Sequence, residues 1–242
     1  MADNLSDAVY RKLQKQILDK TYPPGSRFPS ERDLAEALGV SRVTVREAVR
    51  RLAELGLVNK IPSSGTYVRE FESEASLDLL VKIMQSRDSL DPDMLSSLLE
   101  FRRATEVFAA RAAALRASRE ETAELRAILA EMENRLEDAD FLAQADYRFH
   151  FALIRISGNR VFRLILNAFK PVYTFYTRFF YGLEEMPRRS ILFFRKLVSA
   201  LESKDELFAA YIMEKMLEYA ENRVKEETDL FTRSLAGEGQ TK

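Results

Sequence analysis

Val40-Ser41-Arg42-Val43-Thr44-Val45-Arg46-Glu47-Ala48-Val49-Arg50-Arg51-Leu52 is the stretch that decides how this chain is read. Val45, Ala48, Val49 and Leu52 recur at helical spacing and make one apolar stripe. Arg42, Arg46 and Arg50 follow at intervals of four, which lines them up on the opposite side of the same helix. Ser41 stands just before the periodic residues, where an N-cap side chain accepts a backbone N–H. Ordinary surface helices alternate their charges, whereas here four arginines are opposed within the stretch by one acid, Glu47. Such a face suits phosphate, and the expectation is a DNA-recognition helix that the rest of the chain positions or controls.

The whole chain sets bounds on that expectation. Its 242 residues suffice for one large domain or two ordinary ones. With 46% apolar and 31% charged residues it reads as folded and globular, and the scarcity of glycine (8) and proline (7) favours helices. Cysteine is absent, which removes disulfides and thiolate chemistry and points to a reducing compartment. No apolar run reaches the length of a membrane span, and Met1-Ala2-Asp3-Asn4 lacks the pattern of a signal peptide, so a cytoplasmic location without a membrane partner is expected. The net charge of −1 conceals an asymmetry: residues 1–70 hold twelve Lys+Arg against nine Asp+Glu, and the remainder holds 25 against 29. A basic front and an acidic rear suit a DNA-binding module joined to a part that need not touch DNA.

Outward from the opening stretch, Ser6 to Lys20 forms a helical pattern with Val9, Leu13, Ile17 and Leu18 as its stripe, ended by Tyr22-Pro23-Pro24-Gly25. After an extended link, Ser26 to Pro29, Ser30 starts a short helix that stops at Gly39, and the chain turns at once into the opening helix. Leu57 to Ile61 and Thr66 to Arg69 read as strands joined by Pro62-Ser63-Ser64-Gly65. Together these make a winged helix-turn-helix over residues 1–70. Residues 71–92 read as a linker with a connector helix built on Leu77, Leu79, Leu80 and Ile83. From Met94 onward the pattern is helical, with a capping box at Ser118 and Glu121, a break at Ser157-Gly158-Asn159 and an interruption at Pro171. The fold expected is mainly α: the winged domain, then an all-α bundle of six or seven helices over residues 93–233 for effector binding and dimerisation, then a frayed tail at 234–242.

The first of these regions resembles a known family. The run from Pro23 to Ala35, with Val40 to Ala48 and Leu52 to Gly56 at the expected spacing, is similar to the DNA-binding domain of the GntR-type bacterial transcription regulators. One departure is Ser63, where many members place the first glycine of a Gly-x-Gly wing tip; only Gly65 remains. The second region resembles the ligand domain of the FadR branch of that family, through Arg102-Arg103 with Glu106, Asp146 to His150, Ser157-Gly158-Asn159, Leu164 to Asn167, Lys170 and Tyr173-Thr174. The resemblance implies a homodimer on a palindromic operator in double-stranded DNA, controlled by a small-molecule effector. By resemblance the effector class is a fatty acyl-CoA; the alternatives are a small carboxylate, with or without metal, or an architectural DNA-binding dimer with no effector.

Residue by residue, Arg42 and Arg46 are the candidate readers of bases or backbone, since a guanidinium pairs bidentately with guanine or phosphate. Ser41 and Thr44 are placed to donate to phosphate or touch a thymine methyl. Arg32 enters through its family counterpart, and Gly65 through the wing. A merely solvated basic face is the competing reading. In the second domain Asp146 and His150, four apart, are placed to share a metal. Many members of the branch complete such a set with two later histidines, but His150 is the chain's single histidine and Phe194 and Met216 align with those positions. No metal and no cofactor is therefore expected, and a structural Asp–His pair is favoured. Seven aromatic residues between Phe169 and Tyr181 exceed what one buried stripe needs, which suggests a cavity. Arg102, Tyr173 and Arg178 are the candidate effector contacts, against the reading of Arg102 as a partner for Glu106 at i+4. Catalysis is not expected: no thiol, nucleophile turn or Gly-rich phosphate loop is present.

Overall fold

The computed structural model describes residues 5–70, 79–81 and 92–237. They belong to two compact units, Met1–Asp91 and Pro92–Lys242.

Among its described residues, the first unit has three helices and a hairpin, with a further helical turn at residues 79–81. Helix α1 (Leu5–Leu18) lays Val9, Leu13 and Ile17 against α3 (Arg42–Leu55), whose buried face is the expected stripe Val45, Ala48, Val49 and Leu52. Between them α2 (Glu31–Leu38) buries Leu34 and Ala35. Its ends are chemically defined. Ser30 accepts from the Asp33 N–H at 3.2 Å, and Gly39 takes φ +65°, the left-handed conformation in which a Cβ is disfavoured. Gly56 ends α3 in the same way. Strand β1 (Val58–Ile61) pairs antiparallel with β2 (Gly65–Val68), Val58 opposite Val68, and both of those valines enter the core. The extended link before α2 bonds to β2: Phe28 N–H donates to Thr66 O at 2.8 Å and Val68 N–H to Ser26 O at 2.9 Å. Phe28 is thereby drawn into the core beneath the wing.

The second unit is built from α4 (Pro92–Arg116), α5 (Arg119–Glu133), α6 (Ala139–Ile156), α7 (Arg160–Tyr181), α8 (Met186–Glu202) and α9 (Glu206–Gly237). Helix α4 packs on α6 and α9, α6 also on α5 and α7, and α8 on α5 and α9. Ala110, Ala113, Ala114 and Ala117 let the end of α4 approach closely, and Phe149, Phe194, Leu125, Met132, Leu142 and Leu153 fill the centre. Both halves of the Ser118/Glu121 capping box form. Asn159 caps α7 by accepting from Val161 N–H at 3.0 Å and Phe162 N–H at 3.1 Å.

Two expectations differ from what is found. Pro171 does not interrupt α7, which runs through it. Pro171 and Asn167, whose carbonyl loses its helical donor, are both exposed residues, on the side of the helix open to water. Helix α9 continues to Gly237, past the start of the expected tail at 234. Of the connector, residues 79–81 are helical with Leu79 and Val81 buried; Leu77, Ile83 and the tail beyond 237 lie outside the described residues.

Candidate nucleic-acid interface and ligand cavity

Two places among the described residues carry chemistry beyond what folding needs. On the first unit it is the outer face of α3. Ser41 fixes the start of the helix, accepting from Thr44 N–H at 3.1 Å while its hydroxyl lies 2.8 Å from the Thr44 hydroxyl. The N-terminal turn so defined presents its free N–H groups and positive dipole end beside Arg42. The arginines are less alone than the stretch suggested. Arg46 pairs with Glu31 at 3.0 Å, Arg50 with Glu47 and Glu54, and Arg51 with Asp7 while stacking over Tyr10. Two of these acids lie 15 and 44 residues away in sequence, so local inspection could not find them. Arg42 is the α3 arginine left without an acid among the described residues. Arg32, at the start of α2, is 76% exposed and touches Asp33 at 3.4 Å.

One residue of this face was missed. Val43 is 72% exposed between Arg42 and the Arg46 turn, and a large apolar side chain in that position is unfavourable in water alone. Its signal was available: position 43 falls outside the 45/48/49/52 stripe and lies with 46, 47 and 50. In the wing, Gly65 takes φ +130°, and a Cβ there would meet Arg27 Nε at 3.1 Å. The Arg27 guanidinium thus lies on the wing, which adds a cation the sequence reading did not assign.

The second place is a cavity of about 90 Å³ in the helical bundle. Leu98, Leu99, Phe101, Phe162, Leu166, Phe169 and Val172 give it apolar walls from α4 and α7, and Phe193, Met216 and Leu217 close it from α8 and α9. Its charged residues form one cluster with two tyrosines. Arg102 donates to Glu106 through Nε at 2.7 Å and Nη2 at 3.3 Å, and from Nη2 to the Tyr173 hydroxyl at 3.0 Å. Tyr173 donates to Asp146 Oδ1 at 2.6 Å, and Tyr181 donates to Oδ2 at 2.7 Å. His150 Nδ1 stands 2.7 Å from Glu106 Oε2, close but off the axis of a hydrogen bond. Burial by itself would raise the Glu106 carboxyl; the Arg102 guanidinium, with His150, overcomes it and holds the group down at about 2. Burial likewise works against the Arg102 charge, and Glu106 outweighs it, raising that group. Burial, reinforced by Asp146, pushes the Tyr173 and Tyr181 phenols well up, so both remain donors.

Of the residues expected to meet an effector, Arg102 and Tyr173 come together on this wall. Arg178 does not. It points away from the cavity and pairs with Asp140 at 2.6 Å in an exposed contact, because α7 turns its 173/177/181 face inward and 178 outward. The reading of Arg102 as partner to Glu106 is also met, so the two readings describe one arrangement. Tyr181 and Tyr176 were expected only as members of an aromatic run. Tyr181 completes the Asp146 site, and Tyr176 brings to the cavity lining a buried hydroxyl without a hydrogen-bond partner among the described residues.

The donor set does not fit a divalent ion. Both Asp146 oxygens are taken by phenol donors and His150 Nε2 is 3.9 Å from Asp146. The Phe194 ring packs on the imidazole at 5.7 Å between centroids, and Met216 lines the same cavity. Neither supplies a hard or borderline ligand.

Comparison with known proteins places both units in one family of regulators. Residues 5–68 match the family described as "Bacterial regulatory proteins, gntR family", and residues 97–219 match the FCD domain. The chain is 31% identical over 201 residues to the fatty acid metabolism regulator protein of Shewanella frigidimarina, covering 80% of this chain and 79% of that one. It is 31% identical over 185 residues to the protein of the same name from Edwardsiella ictaluri, covering 76% of each. Among solved structures, Lar of Listeria monocytogenes superposes with a TM-score of 0.55 at 19% identity, over 91% of this chain and 96% of that one, and so shares the fold.

Proposed function

The chain belongs to the gntR family of bacterial regulatory proteins and is a DNA-binding transcription regulator with an FCD effector domain, and we propose that a fatty acyl-CoA sets its affinity for DNA. The regulator works in the cytoplasm as a homodimer whose two α3 helices enter successive major grooves of a palindromic operator. Arg42 and Arg46 read base edges or backbone, Ser41, Thr44 and Arg32 hold phosphates, and Gly65 brings the wing close to the duplex.

The observation that carries the effector reading is the cavity itself: apolar on most sides, with Arg102 and the Tyr173 hydroxyl at one wall. Such walls suit an acyl chain, and the polar wall suits its carbonyl end. The relatives named as fatty acid metabolism regulators support an effector related to fatty acids. At about 90 Å³ the cavity is smaller than the ~150 Å³ that admits a benzene ring. An acyl chain therefore enters a widened state of the bundle and binds that state better. This difference in affinity is what an effector needs in order to shift a conformational equilibrium.

A small carboxylate is the competing effector, favoured by the present volume. Against it, Arg102 is already held by Glu106, and Asp146 adds a second buried negative charge. The test uses the tightest duplex that the full chain selects from a randomised library. Its binding is followed by fluorescence anisotropy with acyl-CoA of increasing chain length, the matching free fatty acids, and short carboxylates. The expected result is an effect that grows with acyl length. Equal effects from short carboxylates would replace the acyl reading, and no effect from any compound would favour the architectural one.

A further inference from the structure

Glu31 opens α2, yet its carboxylate serves two other elements. Oε2 accepts from Arg46 Nε on α3 at 3.0 Å, and Oε1 accepts from Lys60 Nζ on β1 at 3.4 Å. The acid is recessed at 21% exposure, while Arg46 and Lys60 stand out at 63% and 70%. Burial would raise the Glu31 carboxyl; the Arg46 hydrogen bond and the Lys60 charge prevail and lower it, so the group is ionised at neutral pH.

An anion at this place asks for a reason. Exposed ion pairs add little to stability, so the fold alone does not need it. On a surface that meets phosphate, a carboxylate lowers affinity by charge repulsion. Geometry supplies the reason. Arg46 is engaged through Nε, which leaves its two terminal nitrogens without partners among the described residues. A guanidinium held by its side nitrogen keeps a flexible side chain in one rotamer, so less order is lost when it pairs with a base.

We propose that Glu31 is a positioning residue for sequence reading, which fixes the Arg46 guanidinium in its base-reading orientation and ties wing strand β1, through Lys60, to the recognition helix. The inference rests on the reading of Arg46 as a base contact. It makes an unusual demand: deleting a negative charge from a DNA-binding surface should weaken specific binding while leaving non-specific binding equal or stronger.

The test measures anisotropy of the full chain on two duplexes, the library-selected one and a scrambled duplex of equal composition. The variants are Glu31→Gln and Glu31→Asp, each alone and with Arg46→Ala. Glu31→Asp keeps the charge at the start of α2 but is one methylene too short, so it guards against loss through helix destabilisation; thermal melts confirm folding. We expect both single variants to bind the selected duplex about tenfold more weakly, as for a compromised base contact, with scrambled-duplex binding unchanged or tighter. In the Arg46→Ala background the Glu31 changes should add nothing further. If the single variants bind both duplexes more tightly, or leave both unchanged, Glu31 is only an adverse charge and the inference falls. If Arg46→Ala itself leaves selected-duplex binding intact, the base-contact reading falls and takes this inference with it. Weakening by Arg46→Ala alone, with no effect of Glu31, removes only the positioning role.

Discussion

The two units put charge to opposite uses. On α3, Arg42, Arg46 and Arg50 face solvent while Val45, Ala48, Val49 and Leu52 hold the helix in place beneath them. In the bundle, Glu106 and Asp146 are buried and Arg102 is half-buried against them, joined through Tyr173. On the proposed function, the surface site separates the residues that fold from those assigned to recognition. The buried site would merge them, because removing one partner of a buried ion pair is strongly destabilising. Mutations should therefore act first on DNA affinity in one unit and first on stability in the other.

The largest effect expected is at Glu106. Glu106→Ala leaves Arg102 buried without its carboxylate, and chemical denaturation should show a loss of about 3–5 kcal/mol. The pH dependence gives a second handle. In the folded chain the carboxyl sits at about 2, below its ordinary 4.5. The unfolded state thus binds more protons between those values, and stability rises with pH there. The stabilisation is complete above 4.5 and is lost as pH falls towards 2. In Glu106→Gln this component should disappear. An Ala variant as stable as the parent would break the comparison, since it would make the buried pair dispensable.

Next is Arg46→Ala, the surface counterpart. Selected-duplex affinity should fall about ten- to a hundredfold, corresponding to the loss of a bidentate base contact. Stability should move by less than about 0.5 kcal/mol, as for surface changes generally. Parallel losses of stability and affinity would mean that α3 does not separate the two roles.

The same contrast governs what the sequence made legible. Helix α3, its caps and the hairpin were readable because the signals are local: a stripe at 3.6 spacing, Ser41, Gly56 and a turn-rich connection. The Arg102–Glu106 pair was readable as an i, i+4 neighbour. Tyr181 and Asp146 stand 35 residues apart, and Arg102 and Tyr173 stand 71 apart; nothing local reports that such side chains meet. The Arg178 assignment failed for a related reason. Aromatic density located the right helix but could not say which of its residues turn inward. Pro171 misled because a proline breaks a helix in the average sequence, whereas here it and Asn167, four residues before, lie on the exposed side of the helix.

Tyr173→Phe is a smaller change that tests whether the bundle merges its roles in one residue. The hydroxyl accepts from Arg102 and donates to Asp146. Its loss should cost about 1–2 kcal/mol, since both partners keep other bonds. The acyl-CoA concentration giving half the DNA response should shift in the same variant. A shift in response with unchanged stability would show that recognition and folding are separable inside the bundle too.

The smallest effect belongs to Ser63, where backbone rather than charge is at issue. Ser63 takes φ +61° in the connection between β1 and β2, a left-handed conformation that glycine occupies freely. A Cβ there costs about 1–2 kcal/mol. Glycine returns part of that gain through its larger entropy in the unfolded chain, roughly 0.5–1 kcal/mol. Ser63→Gly should therefore stabilise the N-terminal unit by less than about 1 kcal/mol, visible as a small rise in its thermal midpoint. Because the side chain is exposed and uncharged, selected-duplex affinity should stay within about twofold if the wing keeps its shape. A fall in affinity at raised stability would mean that the strained serine holds the wing in the form that meets DNA, and that in this unit, too, recognition is drawn from what it costs to fold.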